Sequence, residues 1–290
     1  MYTAIHAVVS YGPVQKTVYR LGYQVALASA KMCAVLDTIN TTRLMDKGRL
    51  TMNPPLDQHA TRTTLLQTLQ TGHWFSRLPE TLRSALVDGA KLIRLAQGER
   101  LFAQGDAGHS MYCVVSGAVS VGRQREDGKE ALLTLIEAPN WFGEITLFDR
   151  KERTHNAIAI SNSVLVELSG EALDQILAAH PAYWQYFGQL LTGKVRILLD
   201  QAEDLVLRTT AQRLAKRLWM IAMSHGELVG RSRRVLDIQQ EQLAMMLFIT
   251  RQTTNQILKN LERHGLIKLV YGGVEVLDLD GLQLFAEQSI

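Results

Sequence analysis

Asp237-Ile238-Gln239-Gln240-Glu241-Gln242-Leu243-Ala244-Met245-Met246-Leu247-Phe248-Ile249-Thr250-Arg251-Gln252-Thr253-Thr254-Asn255-Gln256-Ile257-Leu258-Lys259-Asn260-Leu261 reads as two short helices around a break. Asp237 is placed to cap a first helix over Ile238–Leu247, with Leu243, Ala244 and Leu247 on its inward face. Phe248-Ile249 interrupts the pattern. Thr250 then caps a second helix through Leu261, with Thr254, Ile257, Leu258 and Leu261 inward. Its outward side chains are Arg251, Gln252, Asn255, Gln256 and Lys259. Two short helices joined by a tight turn, the second carrying such side chains, is helix-turn-helix geometry. The types suit a duplex: guanidinium matches the guanine O6/N7 edge, carboxamides match adenine, and lysine reaches phosphate. With Thr250 these five form the candidate DNA-binding set.

Leu266-Ile267-Lys268-Leu269 and Val274-Glu275-Val276-Leu277 bracket Tyr271-Gly272-Gly273, a hairpin that forms a wing beside the helix pair. Between Arg208 and Tyr271 stand eleven Lys and Arg against four Asp and Glu, while the whole chain carries only +3. A basic last third on an acidic body suits a polyanion. Charge runs are ordinarily solvated faces, so this one gains weight only beside the helix pair and wing.

Upstream the period changes. From Leu92 to Leu168, short Val-, Ile- and Leu-rich runs alternate with glycines, the pattern of an all-β sandwich or barrel. Met111–Val115 and Ala118–Val121 flank Ser116-Gly117 as one expected hairpin, and Val121 to Leu132 around Glu126-Asp127-Gly128 as another. A helical pattern precedes them through Leu65, Leu66, Leu69, Trp74 and Phe75. Leu78-Pro79-Glu80 opens a further helix with Leu82, Leu86 and Val87 on one face. Ser169 is placed to cap Glu171–Ala179. After His180-Pro181, Trp184, Gly188, Leu191, Val195, Leu198, Ala202 and Leu205 alternate spacings of four and three. That a/d seam predicts a coiled-coil-like dimer, the competing reading being a helix packed on its own β domain. The expected dimer contacts are Leu191, Val195, Leu198, Ala202 and Leu205.

At 290 residues, 47% hydrophobic and 20% charged, the chain has the composition of a soluble protein with room for two or three domains. Its longest apolar run near the N-terminus, Val25–Ala30, is too short for a bilayer, and a cytoplasmic location without membrane contact is expected. Two cysteines, Cys33 and Cys113, make neither a disulfide framework nor a metal cluster. No metal site is expected, and no unassigned segment is long enough for a catalytic domain, so the reading is not an enzyme. Residues 1–51 keep no period and stay unassigned. Lys47-Gly48 must be encoded AARGGN, a purine run like a ribosome-binding sequence, which makes Met52 a candidate start.

Residues from about 74 to 290 resemble the catabolite activator (CRP/FNR) family of bacterial regulators. The likeness rests on Gly98-Glu99-Arg100-Leu101-Phe102-Ala103-Gln104-Gly105-Asp106, Ser116-Gly117, Trp141-Phe142-Gly143-Glu144, Arg153-Thr154, and Leu243 to Ile267. It implies an α+β fold: a cyclic-nucleotide-binding β-roll (a double-stranded jelly roll) over 52–180, a dimerisation helix over 181–207, and a winged helix-turn-helix over 208–290. It implies a homodimeric, sequence-specific transcription regulator on a palindromic double-stranded operator, with RNA polymerase as a further partner. The effector would be a cyclic nucleotide of the cAMP kind or a related anion. In the family's phosphate-binding cassette Glu144 would hold the ribose, Arg153 and Thr154 the phosphate, and Gly143 would admit it closely. The alternative for the cassette is a ligand-free roll in which Arg153 and Glu144 pair with each other.

Three departures mark this chain. Where nucleotide-binding members present hydroxyls on the long helix, it has Ile197-Leu198-Leu199, which leaves Arg196 or Asp200 to reach the base. The iron–sulfur cysteine cluster of other sensors is missing, and His73, His109 and His155 are the remaining haem-ligand candidates. Phe248 stands where the family's helix turn commonly holds Gly, so either the turn changes or the ring packs. Readings still open are a ligand-independent or otherwise-sensing member of the family, and a scaffold whose winged domain binds protein.

Overall fold

The computed structural model describes residues 58–124, 130–228 and 232–288. The extension 1–51, with Met52 and Cys33, lies outside the described residues. The chain divides into two compact units, 1–68 and 69–290, and the described part of the first is most of helix α1 (Gln58–Leu69). The helical pattern expected from Leu65 to Phe75 is broken. Gly72 is extended and seated against Pro139, where a Cβ would lie 3.2 Å from the proline Cγ. The chain therefore restarts as short α2 (His73–Ser76). Helix α3 (Glu80–Asp88) follows Pro79, whose fixed φ suits a helix entry, and buries Leu82, Leu86 and Val87 as its spacing requires.

Eight strands build the roll: β1 (Ala90–Leu95), β2 (Arg100–Phe102), β3 (Met111–Ser116), β4 (Ala118–Gln124), β5 (Glu130–Glu137), β6 (Trp141–Phe142), β7 (Asn156–Ala159) and β8 (Ser163–Leu168). They form two antiparallel sheets, ordered β1-β8-β3-β6 and β2-β7-β4-β5. A core including Tyr112, Val114, Val119, Phe142, Ala157 and Leu165 fills the roll. The hairpin expected at Ser116-Gly117 does not form. Strand β3 pairs β8 on one side and β6 on the other, so no edge remains for β4. At Gly117 (φ +79°) the chain instead crosses between sheets, and a Cβ there would strike Ser163. The second hairpin does form: β4 pairs β5 from Ala118–Glu137 outward.

Helix α4 (Ile145–Asp149) follows β6, and α5 (Gly170–Ala179) is capped by Ser169, which accepts from Ala172 N. The longest helix among the described residues, α6 (Trp184–Leu207), is continuous over 24 residues. Asp204, near its end, accepts hydrogen bonds from Arg208 Nε (2.6 Å) and Lys216 Nζ (2.9 Å), joining α6 to α7 (Thr210–Ala222).

The winged unit then holds β9 (Val235–Leu236), α8 (Gln240–Leu247), α9 (Arg251–Arg263), β10 (Ile267–Val270), β11 (Gly273–Val276) and α10 (Leu279–Glu287). The cap of α8 is Gln239, not Asp237. Ile238 is buried and its N–H donates to Leu236 O, so the chain is not free to turn until two residues later. Gln239 and Gln242 then close a reciprocal capping box. Leu218, Leu243, Leu258, Leu261 and Ile267 share one core with Leu132 and Leu135 of β5. The winged unit is thus packed onto the roll, with Arg233 paired to Glu137 and Asn140 Nδ2 donating to Ser224 Oγ at 2.7 Å.

Candidate nucleic-acid interface and effector cavity

Thr250 caps α9, accepting from Thr253 N at 3.1 Å, so its hydroxyl is engaged in the helix start. Thr254, Leu258 and Leu261 are fully buried, which fixes the rotation of α9 about its axis. The opposite face presents Arg251, Gln252, Gln256 and Lys259 to solvent, with Asn255 half-buried among them. These five line one shallow surface depression. Asn255 differs from the rest because its Nδ2 donates to Gln240 Oε1 of α8 at 3.2 Å, tying the two helices together. The wing hairpin pairs Ile267–Val276 through Val270–Gly273 and carries Tyr271 fully exposed at its tip.

The turn between α8 and α9 keeps the left-handed geometry that favours glycine. Phe248 has φ 55° and ψ 41°. Ile249 N donates to Ala244 O and Phe248 N to Met245 O, the paired bonds of a Schellman ending. A side chain at that position costs about 1–2 kcal/mol. Burial of the ring would offset this, yet Phe248 is 78% exposed. Neither expectation for Phe248 describes the molecule: the turn is unchanged and the ring is unpacked.

In the roll, Gly143 (φ +92°) ends β6 and Glu144 opens α4, buried to 3% exposure. A Cβ on Gly143 would sit 2.9 Å from Ser110 O and 3.0 Å from Arg153 Nη1, so glycine is needed for both space and conformation. Arg153 is buried under this turn. Its Nη2 donates to Ser110 O at 2.7 Å, its Nη1 to Thr146 Oγ1 at 3.1 Å, and its guanidinium lies 4.5 Å over the Phe102 ring. Burial lowers its pKa, with Tyr112 and Glu144 acting to restore it.

Arg153 and Glu144 do not pair with each other. The cation on Glu144 is Lys194 of α6, at 2.6 Å, which also donates to Trp141 O at 2.7 Å. The sequence reading missed Lys194 because it sits between seam positions of a long helix and belongs to no motif. Only the docking of α6 against β6 brings it to the cassette.

These groups open on a cavity of about 800 Å³. Its cassette wall holds Gly143, Glu144, Arg153 and Thr154, and its helix wall includes Leu191, Lys194, Val195, Ile197 and Leu198. Arg196 and Asp200 are exposed and line no part of it, and Leu199 is also turned to solvent. His155 lines the cavity with its Nδ1 2.9 Å from Thr154 Oγ1, and burial lowers its pKa. His73 lines it too, whereas His109 is engaged with Asp174 at 3.0 Å. Among the described residues no three His, Cys, Asp or Glu gather as metal ligands. Cys113 is buried, and its thiol pKa is raised well above normal by that burial.

Both the roll and the winged unit are similar to known proteins. Residues 92–180 match the family described as cyclic nucleotide-binding domain, and residues 212–285 the Crp-like helix-turn-helix domain. The CRP-like cAMP-activated global transcriptional regulator of Mycobacterium tuberculosis is 30% identical over 200 residues, covering 69% of this chain and 89% of that protein. The chain belongs to the CRP/FNR family of transcription regulators. The cyclic AMP receptor protein of Thermus thermophilus is 29% identical over 181 residues, 62% of this chain and 81% of its own length. Among solved structures, FixK2 from Bradyrhizobium japonicum has the same fold, with a TM-score of 0.60 at 17% identity over 69% of this chain and 99% of that one. As a CRP/FNR member the protein is a DNA-binding transcription regulator and not an enzyme. Among the described residues no helix is long and apolar enough to cross a membrane.

Proposed function

We propose that the protein acts as a homodimer whose grip on a palindromic operator is gated by a cyclic nucleotide held in the cavity of the roll. One observation carries this reading: Leu191, Val195 and Leu198 line the effector cavity and are also seam positions of α6. A ligand there touches the dimer helix directly, so it can bias where two copies of α9 are held. The relatives named for cAMP support a cyclic nucleotide as the ligand class. Thr154 and a share of the Arg153 fork would meet the phosphate. Glu144 would take the ribose hydroxyl on the oxygen that Lys194 leaves. Ile197 and Leu198 give the base an apolar contact, which offers shape but no hydrogen bond.

The seam supports the dimer. Val195, Leu198 and Leu205 are exposed in the single chain, and so are Leu199, Val206 and Leu207 beside them. Phe187 and Leu190, nearer the start of α6, are buried within the single chain, so the first turns of the helix pack on their own chain while its later turns expose the seam. A dimer of this kind places two α9 helices in major grooves one helical turn apart, and RNA polymerase is its proposed partner on DNA. The proposed domain limits for these parts are 52–180, 181–207 and 208–290.

The test is DNA affinity of the full chain with and without 3′,5′-cyclic AMP or cyclic GMP, followed by fluorescence anisotropy. One of them should tighten binding at least about tenfold and change the emission of Trp74 and Trp141, which line the cavity. Arg153→Lys, which keeps the charge but loses the fork, should need far more ligand for the same response. If neither nucleotide alters affinity or emission, the ligand-independent family reading stands instead.

A further inference from the structure

We infer that Phe248 is a DNA-contact residue, reading the C5 methyl group of a thymine beside the base that Arg251 reaches. The backbone at Phe248 has the left-handed conformation that favours glycine, and its ring lies 78% exposed. The fold gains nothing visible from that ring: neither aromatic pairing nor core packing among the described residues involves it. Ile249, the next residue, supplies the apolar contact that the turn needs.

The occupant follows from position and charge. Phe248 stands two residues before the cap of α9 and three before Arg251, at the helix end that enters the groove. From Gln242 to Asn260 the chain holds Arg251 and Lys259 and no carboxylate, so no neighbour in this stretch of sequence repels a phosphate backbone. Within a major groove the thymine methyl is the apolar feature, and phenylalanine is among the side chains that contact it. The carboxamides of Gln252 and Gln256 already favour A·T pairs on the adenine edge, and Phe248 adds the thymine side of such a pair.

Two variants and one altered base separate this from a role in shaping the turn. Phe248→Gly relieves the backbone and should raise the unfolding midpoint, yet weaken operator binding about tenfold. Phe248→Ala keeps the strained backbone and should lose the same affinity without gaining stability. Because the contact is apolar, the salt slope of binding should not change for either. Replacing thymines of the operator by uracil, one at a time, should weaken the wild type at one position per half-site and leave both variants indifferent there. The inference fails if Phe248→Gly binds as tightly as wild type, if affinity falls together with the salt slope, or if uracil weakens wild type and variants alike at every position.

Discussion

Glu144 Oε2 accepts a 2.6 Å hydrogen bond from Lys194 Nζ, so a buried carboxylate of the cassette is neutralised by the long helix. The pair ties the cassette to α6 through one contact. Lys194→Gln leaves Glu144 charged and buried, and should lower the stability of the chain by about 3 kcal/mol. Glu144→Gln combined with Lys194→Gln should recover more than half of that loss. Urea unfolding of wild type, Lys194→Gln, Glu144→Gln and the double variant gives the coupling; additive losses would mean that the pair is not held in solution.

His225 should make stability depend on pH. Ser224, His225 and Gly226 have φ of 50°, 54° and 83°, and the part-buried imidazole has its Nε2 3.4 Å from Thr134 Oγ1. Burial, with Arg217, Arg233 and Lys194 nearby, pushes its pKa down to about 4. The unfolded chain takes up this proton near pH 6.5 and the folded chain only near 4. The contribution is therefore complete above pH 6.5 and falls away as the pH drops towards 4, by about 3 kcal/mol in all. His155, also lowered, acts in the same direction. Urea unfolding at pH 7.5 and 5 should show the loss, and His225→Asn, which tolerates the left-handed backbone, should remove most of it. An unchanged slope in that variant would place the proton elsewhere.

Most of the fold was legible because local rules and the final packing agree. Ser169 and Thr250 cap the helices that their spacing announced, and Thr254, Leu258 and Leu261 are inward as the period requires. The failures are all cases in which distant segments decide. Ser116-Gly117 has the composition of a hairpin, but β6 and β8 already occupy both edges of β3. Asp237 looks like a cap until Ile238 is drawn into the core. At the effector site the short cassette was readable from residue types at fixed spacing. Lys194 was not, because its partner lies fifty positions away and only the docking of α6 joins them.

Leu198→Asp should break the proposed dimer. Leu198 lies in the middle of the seam and is half exposed in the single chain, so the substitution leaves the monomer's own core untouched. Two facing carboxylates in an apolar interface are either repelled or stripped of water. Sedimentation should show a folded monomer that binds DNA poorly. A mutant still dimeric at micromolar concentration would remove the seam from the mechanism.

Arg251 and Lys259 should behave differently although both are exposed cations on α9. Arg251→Ala should cost about 1–3 kcal/mol on the preferred operator and relax choice at one base pair. Lys259→Ala should weaken all duplexes alike and flatten the salt slope by about one unit. Binding isotherms at several salt concentrations separate the two; equal effects would mean that Arg251 meets phosphate.

The most direct measurement is selection of binding sites from random duplexes by the full-length protein in the presence of 3′,5′-cyclic AMP or cyclic GMP. A symmetric dimer reading through α9 should enrich an inverted repeat whose half-sites are centred about 10 base pairs apart. Each half-site should hold one strong G, for Arg251, within A·T pairs that suit Gln252 and Gln256. Enrichment of a single unrepeated motif, or no enrichment at all, would contradict the account.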